Sequence, residues 1–392
     1  MGRNHGGRPQ LFNLTSLRFF AALSIFLHHL DTLGVHPSQW LRGLNLSWTV
    51  SFFFVLSGFV LAYSYDGRLT DRQSIEQYFI QRVARLWPVH AVCLLLVAAL
   101  IGVGDTSLLR AYLALTLMNA WIPAYGSGFA LNSVSWSISV ELFFYALLPF
   151  LLALSYRKLF GLFVVNAAFI GVVILVIPAV GLAGRPDPLV DPLWAESLIP
   201  TGSSIILFFP PIRLIEFVSG ILAYRAFTRV ALPQRAASGA QFVAVLLLLG
   251  YMTQHGSVVE LIETHVSGPA AQAYRQFGAF PLFALAILLF AHQAGPVSGM
   301  LSARPLVFLG EISFAFYMVH QIVMRFLAQH WHLASSSDRL IAAFAALTLS
   351  LGLATILLFC VERPAIRLTK GAFGWRSRNA VSATMPPARA IS

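Results

Sequence analysis

The sequence has 392 residues, of which 58% are hydrophobic and only 10% are charged. Soluble domains carry about a quarter charged residues, so this composition excludes an ordinary soluble protein and predicts an integral membrane protein. The net charge of +11 does not indicate a nucleic-acid partner, because the Arg and Lys residues lie mainly in short stretches between apolar runs. That distribution is typical of membrane topology and of contact with anionic lipid headgroups.

Apolar runs of the length that a bilayer requires, about 20 residues, recur along the whole chain. We predict ten membrane-spanning helices, near residues 14–31, 46–65, 86–103, 135–154, 159–182, 205–227, 240–254, 277–293, 306–328 and 340–361. A further apolar stretch, 108–122, is shorter and ends in Asn119, Trp121 and Pro123. The predicted fold is therefore an all-α, polytopic transmembrane bundle of about ten helices.

The distribution of basic residues predicts the orientation of these spans. With a cytoplasmic N-terminus, the outer loops hold only Arg42, Arg110, Arg185, Arg275 and Arg339, and the other loops and the tail are strongly basic. This positive-inside asymmetry would be lost if 108–122 were an eleventh span. We therefore expect that stretch to be re-entrant or interfacial, and we expect both termini to be cytoplasmic.

The chain divides into three predicted segments. Residues 1–13 form a cytoplasmic N-terminal segment, 14–364 form the transmembrane domain, and 365–392 form a basic cytoplasmic tail without ordered structure. The two cysteines, Cys93 and Cys360, lie far apart inside apolar runs, so neither a disulfide nor a metal site is predicted.

Arg18 and His29 lie on the first predicted span, eleven residues apart. Eleven helical steps return to within about 20° of the starting direction, so both side chains share one face, roughly 16 Å apart along the axis. An ionisable face is costly against lipid and is expected to point into the bundle. The alternative is that Arg18 and His29 sit at the two membrane interfaces.

Arg82 and Arg85 are three residues apart and so share a helical face just before the third span. Two guanidinium groups there suit a phosphate or pyrophosphate. Simple anchoring at the cytoplasmic interface explains the pair equally well.

Further ionisable residues fall inside the predicted spans. Glu141 has Tyr145 one turn later, and it could either assist proton transfer or pair with a buried cation. Arg213 and Glu216 are three residues apart and are expected to pair with each other.

Two other motifs suggest close helix contacts. Tyr317 and His320 could line a substrate cavity or form a hydrogen bond between helices. Gly58 is expected to allow close helix packing, and its neighbour Ser57 has no base beside it in the sequence.

These motifs occur in a fixed order along nearly the whole chain. They are Leu17-Arg18 through His28-His29, Ser51 to Phe59, Arg82 to Pro88, Ser135 to Tyr145 with Pro149, Leu309 to His320, and Glu362-Arg363-Pro364. In combination they resemble the acyltransferase 3 family of bacterial membrane O-acyltransferases. One departure is that Phe314 and Phe316 stand where the family often has a tyrosine.

The resemblance implies roles for particular residues. The family's Arg followed eleven positions later by a catalytic His corresponds to Arg18 and His29, and its two-arginine motif corresponds to Arg82 and Arg85. Glu141 corresponds to its acidic residue. We expect the three arginines to bind the CoA part of the donor, His29 to act as general base or to carry the acyl group, and Glu141 to orient His29. Trp136, Tyr145, Tyr317 and His320 are expected to wall the substrate pocket.

The resemblance also implies the reactants and the location. An acyl-CoA, most often acetyl-CoA, is the expected co-substrate, reached from the cytoplasm, and no permanently bound cofactor is expected. The acceptor is expected to be a hydroxyl of a cell-surface or exopolysaccharide sugar, or alternatively a macrolide or another small molecule. The expected location is the bacterial inner membrane, and the C-terminal extracytoplasmic hydrolase-like domain of some members is expected to be absent.

A different functional class fits the same composition. Buried ionisable residues such as His29, Glu141 and His320 also occur in proton-coupled transporters. The halves of the chain show no internal correspondence of the kind that many such transporters have, which favours the enzyme.

Overall fold

The computed structural model describes residues 9–36, 46, 48–104, 106–182 and 197–372. The predictions for Arg42, for Arg185, for most of the N-terminal segment and for the tail beyond residue 372 lie outside these ranges. Within them the chain is helical and contains no strand. The all-α fold predicted from the sequence is confirmed.

A helical turn of four residues (Tyr125–Gly128) lies between Leu115 and Trp136. The longer helices of the described residues are separated by connections of very different length. They are α1 (Phe12–His28), α2 (Thr49–Tyr65), α3 (Arg72–Leu100), α4 (Leu108–Leu115), α5 (Trp136–Ala153), α6 (Tyr156–Ala179), α7 (Gly202–Phe208), α8 (Pro210–Phe227), α9 (Gln234–His265), α10 (Gly268–Phe277), α11 (Phe280–Ala291), α12 (Gly295–Leu301), α13 (Arg304–His330), α14 (Ser336–Leu357) and α15 (Arg363–Ala372). A 3₁₀ turn (His29–Leu33) follows α1, and a π turn (Leu358–Glu362) joins α14 to α15.

Eight helical segments in the described residues are long and apolar enough to cross a membrane. They are α3, α5, α6, α7 with α8, α9, α10 with α11, α13, and α14 with the helix that continues it. Helix α2, with 17 residues, is a shorter apolar helix, and α1 has the same length. The eight segments agree with the predicted polytopic bundle, and the total of ten spans stays a prediction.

Several predicted boundaries are wrong. Helix α3 begins at Arg72 rather than near residue 86, because the Asp71 side chain accepts a hydrogen bond from the Ser74 amide and caps a polar first half. Helix α9 runs on to His265 through a predicted outer loop, because no proline interrupts it, and its 32 residues extend about 48 Å. A predicted single span is broken between α7 and α8, where Pro210 removes a backbone donor.

The stretch 108–122 forms no helix long enough to cross a membrane. Its only helix, α4, has 8 residues and a length of about 12 Å, which is well short of a bilayer core. The turns that follow are fixed by the buried Asn119 amide, which donates to the carbonyl of Gly128 and to the hydroxyl of Ser135, both at 3.1 Å. The segment is thereby folded back against the start of α5.

Glycines allow the closest helix contacts in the bundle. A methyl group at Gly58 on α2 would overlap the carbonyl oxygen of Phe217 on α8, and one at Gly220 would overlap that of Val55. Gly310 on α13 meets the backbone of α1 in the same way. The packing role predicted for Gly58 is confirmed, and α2 and α8 form the tightest pair at the centre of the fold.

The helices α6, α9 and α14 lie at the periphery. They present large apolar side chains outward, such as Leu175 (76% exposed) and Phe344 (71% exposed). A surface of this kind is stable only against lipid, so these helices form part of the lipid-facing wall.

The C-terminal segment predicted to be without structure from residue 365 begins as a helix. Helix α15 packs against α3, and the Arg363 guanidinium donates to the Glu311 carboxylate at 2.7 Å. These contacts hold the start of the tail against the end of the bundle near Arg85.

Candidate active site

A cavity of about 110 Å³ opens between α1, α2, α3, α5 and α13. Its charged lining consists of Arg18, Arg82, Arg85 and Glu141, and its polar lining of Ser57, Ser137, Tyr145 and Tyr317. Its remaining walls are apolar side chains, mainly of α2. Three guanidinium groups and one carboxylate give this space a net positive charge.

Helical spacing places the polar side chains on the wall of this cavity. Arg82 and Arg85 are one turn apart on α3, and Glu141 and Tyr145 are one turn apart on α5, so each pair points in one direction. Arg18 reaches the cavity from α1. The structure therefore brings together Arg18, Arg82 and Arg85, the three arginines predicted to bind the donor.

Arg82 is held in place without a counter-charge. One of its nitrogens donates to the hydroxyl of Tyr65 at 3.1 Å, and its guanidinium carbon lies 5.5 Å and 5.9 Å from the ring centres of Tyr65 and Tyr145. Its Nε is buried and lacks a hydrogen-bond partner. No described carboxylate forms an ion pair with it, and the same holds for Arg18.

Arg85 is partly neutralised. Its Nε lies 3.7 Å from Oε1 of Glu362, at the end of the π turn, and the other carboxylate oxygen of Glu362 is buried without a partner. No role for Glu362 beyond the family motif is predicted from the sequence. An acidic residue at the predicted cytoplasmic end of the last span, on the same side as two arginines, is the signal that could have indicated this pairing.

Glu141 is bonded to residues other than the predicted one. Its Oε1 accepts hydrogen bonds from the hydroxyl of Tyr145 at 2.6 Å and from the hydroxyl of Ser57 at 3.1 Å. The expected contact between Glu141 and His29 is wrong, because His29 bonds to a different side chain. The missed residue is Ser57, whose neighbouring acid lies 84 positions away in the sequence.

His29 lies on the 3₁₀ turn after α1 and faces α13 rather than lipid. Its Nδ1 is 2.9 Å from Nε2 of His320, and the two rings stack with centres 5.1 Å apart. Nδ1 of His320 is in turn 2.6 Å from the carbonyl oxygen of Tyr317. The two histidines therefore form a hydrogen-bonded pair next to the cavity, and neither is among its lining residues.

Tyr317 is the link between the cavity and the histidine pair. Its side chain lines the cavity, and its ring centre is 5.8 Å from that of His320. Its hydroxyl is fixed by Ser137 at 2.8 Å and by the carbonyl of Val134 at 3.2 Å. The predicted pocket positions of Tyr145 and Tyr317 agree with the structure, and His320 instead lies behind Tyr317 against His29.

Trp136 does not wall the cavity, contrary to the prediction. On α5 the lining face is formed by Ser137, Ile138, Glu141 and Tyr145, and Trp136 is out of phase with it. Its ring packs instead 5.6 Å from the guanidinium carbon of Arg213.

Arg213 and Glu216 form the pair that their spacing predicts. Two guanidinium nitrogens donate to the two carboxylate oxygens, at 2.6 Å and 2.9 Å. Both residues are fully buried, and neither lines the cavity. Their role is structural and separate from the candidate site.

The fold and the site define a class. The molecule is a polytopic integral membrane protein whose central helices enclose a cationic cavity next to a pair of histidines. It belongs to the acyltransferase 3 family, whose model, described as an acyltransferase domain, matches residues 11–359. The chain is therefore a membrane-bound acyltransferase.

Two relatives agree with this assignment. The acyltransferase MdmB of Streptomyces mycarofaciens is 29% identical over 92% of this chain and 92% of its own length. A putative acetyltransferase, ORF330, of Acidianus two-tailed virus is 25% identical over 79% of this chain and 82% of its own length. No solved structure matches the chain significantly.

Proposed function

We propose that this acyltransferase moves an acetyl group from acetyl-CoA to a hydroxyl of a cell-surface or exopolysaccharide sugar, in the plasma membrane of a bacterium. The observation that carries the proposal is the under-neutralised charge of the cavity. Arg18 and Arg82 form no direct ion pair with a described carboxylate, although Glu362 and Glu141 lie near enough to attract Arg18, and Arg85 shares Glu362 at 3.7 Å. Burying a cation in a helical bundle costs several kcal/mol. We therefore infer that an anion binds next to these arginines and offsets that cost.

The positive charge of the cavity favours one orientation of the acyl-CoA donor. Its phosphates would bind Arg82 and Arg85, whose planar guanidinium groups suit phosphate oxygens. Arg18, which reaches the cavity from α1, would bind a further part of the donor. The flexible pantetheine arm would then carry the thioester along the cavity toward Tyr317.

The acceptor hydroxyl would meet the thioester beside His29. In this mechanism His29 removes the hydroxyl proton as the oxygen attacks the thioester carbonyl, the carbon–sulfur bond breaks, and the proton passes to the departing thiolate. The role of Glu141 is then different from the expected one. Bonded to Ser57 and Tyr145, it positions these side chains at the cavity wall and balances part of the arginine charge.

The test is transfer of label from acetyl-CoA by the purified protein in lipid nanodiscs. The acceptor mixture is an extract of the source cells, separated into polymeric and small-molecule fractions. We expect a radiolabelled ester in the polysaccharide fraction, released by mild alkali. If only the small-molecule fraction is labelled, the acceptor is a small molecule and not a sugar polymer. If neither fraction contains a labelled ester, the proposal is refuted.

The matched variants are His29→Asn and His36→Asn. His29→Asn removes the proposed base and is expected to lower transfer by about 100-fold or more, within the usual range for general-base catalysis. His36 lies a few residues later on the same segment and outside the cavity lining, so His36→Asn is expected to leave transfer unchanged. Normal transfer by His29→Asn would remove the assignment of His29.

A further inference from the structure

The hydrogen bonds of His320 fix the position of its own proton. Nδ1 of His320 lies 2.6 Å from the backbone carbonyl oxygen of Tyr317. A carbonyl oxygen can only accept a hydrogen bond, so Nδ1 of His320 must carry a hydrogen and donate it. The backbone of α13 thereby determines which ring nitrogen of His320 is protonated.

The surroundings of His320 keep this imidazole neutral. The residue is fully buried (0% exposed), and its ring neighbours include Phe26 at 6.3 Å and Phe316 at 6.2 Å between centres. No described carboxylate forms an ion pair with it. A cationic imidazole without a counter-ion in such a place is costly, so Nε2 of His320 keeps its lone pair.

The position of the proton on His29 follows from the position of the proton on His320. Because Nε2 of His320 is an acceptor, the 2.9 Å contact requires Nδ1 of His29 to be the donor. A neutral His29 with a hydrogen on Nδ1 has its lone pair on Nε2. Among the described residues Nε2 of His29 has no hydrogen-bond partner, so no described group uses that lone pair.

We infer that His320 is a positioning residue that holds His29 in the tautomer with the proton on Nδ1, so that Nε2 of His29 is the atom that takes the acceptor's proton. This inference rests on the proposed function for its catalytic consequence. Nε2 of His29 gains the hydroxyl proton as the new carbon–oxygen bond forms, and it returns that proton to the CoA thiolate when the carbon–sulfur bond breaks. His320 itself is never protonated further and never touches the substrate.

Two replacements of His320 separate this role from simple packing. In His320→Gln the side-chain oxygen can occupy the position of Nε2 and still accept from His29. In His320→Asn the amide reaches only the position of Nδ1, so it can bond the Tyr317 carbonyl but cannot reach His29. Both variants remove the imidazole, so a purely structural role predicts similar losses in the two.

The first measurement needs no substrate. Nitrogen NMR of the full chain, labelled with ¹⁵N-histidine and held in nanodiscs, reports which ring nitrogen of His29 is protonated, and His29→Asn assigns its signals. We expect a protonated Nδ1, an unprotonated Nε2, and a coupling across the hydrogen bond to His320 that disappears in His320→Asn. A protonated Nε2 in the unmodified protein would overturn the inference, whatever the enzyme's acceptor is.

The second measurement is kinetic and uses acetyl-CoA with the acceptor fraction that becomes labelled. Residues that orient metal-ligating histidines typically affect activity by about 10–100-fold, and we expect the same range for a residue that orients a reacting imidazole. We expect kcat to fall about 100-fold in His320→Asn and less than about 10-fold in His320→Gln, with the KM for acetyl-CoA and the thermal midpoint unchanged in both. Equal losses in the two variants, or losses that follow a lowered thermal midpoint, would contradict the positioning role. If no fraction is labelled, the proposed function fails, and the NMR result still decides the tautomer.

Discussion

Two groups of arginines lie inside the same bundle, and they differ in how their charge is balanced. Arg213 is fully buried and bonded through two nitrogens to the carboxylate of Glu216 on its own helix. Arg18 and Arg82 face the cavity without a described carboxylate partner, and Arg85 has one at 3.7 Å. The first arrangement is balanced within the protein, and we propose that a bound anion balances the second.

The paired and the unpaired arginines are expected to contribute to different properties, the first to stability and the second to function. Removing one member of a buried ion pair leaves the other charge buried and unpaired, so the fold is destabilised. Removing a cation that has no counter-charge relieves a cost of burial, so the fold is not weakened while anion binding is lost. Substitutions in the two groups are therefore expected to have opposite consequences.

The largest expected effect is on stability at Arg213. Arg213→Met leaves the Glu216 carboxylate buried and unpaired, which costs about 3–5 kcal/mol. We expect a loss of folded protein, measured as monodisperse material on size-exclusion chromatography after a temperature series in detergent. The double change to Met at both positions should recover most of the loss, and a double variant as unstable as the single one would show that the pair is not the cause.

The next effect is on donor binding at Arg82. Arg82→Met is expected to weaken acetyl-CoA binding by about 100-fold, or about 2.7 kcal/mol, because a buried charge-assisted contact to phosphate is lost. Tyr65 keeps a partner in this variant, since its hydroxyl also bonds Gln81 at 3.2 Å, so the thermal midpoint should not fall. Binding is measured by equilibrium dialysis with radiolabelled acetyl-CoA.

The matched control for Arg82 is Arg72→Met. Arg72 lies on the same helix, but its side chain is 93% exposed and paired with Glu76 at 2.6 Å. Loss of this surface pair is expected to change neither stability nor donor affinity measurably. If Arg72→Met weakened binding as much as Arg82→Met, the effect would come from net charge rather than from the cavity.

A smaller effect is expected at Arg85. Its charge is already shared with Glu362, so Arg85→Met is expected to weaken acetyl-CoA binding by about 10-fold, less than at Arg82. The same dialysis measurement compares the two. An effect at Arg85 larger than that at Arg82 would mean that Glu362 does not reduce its attraction for the donor.

The smallest effect has the opposite sign. Glu362→Gln removes the negative charge next to Arg85 and is expected to tighten acetyl-CoA binding by about three- to five-fold, or about 1 kcal/mol. The gain should disappear in the double variant with Arg85→Met. A gain that persists in the double variant would point to an action of Glu362 on some group other than Arg85.

Features that depend on one helix were predictable from the sequence. The positions of the long apolar helices follow from local hydropathy, and both the Arg213–Glu216 pair and the shared face of Arg82 and Arg85 follow from a spacing of three residues. The helix ends were less predictable, because caps such as Asp71 and uninterrupted polar extensions such as the end of α9 lie outside the hydropathy signal.

Contacts between helices could not be predicted in the same way. His29 and His320 are separated by 291 positions, and Ser57 and Glu141 by 84, so their meeting depends on how helices cross. The pattern of a single helix shows which face is polar but not which partner that face meets. For this reason most of the site's residues were predictable from the sequence, whereas the predicted contact of Glu141 with His29 and the predicted place of Trp136 at the cavity wall were wrong.

The central claim is that the cavity arginines bind the phosphates of the acyl donor. The most direct measurement is displacement of bound radiolabelled acetyl-CoA from the unmodified protein by free CoA and by pantetheine, which has the same thiol arm without the nucleotide phosphates. The account predicts that CoA displaces the donor at a concentration at least about 100-fold lower than pantetheine does. Equal potency of the two compounds would contradict it.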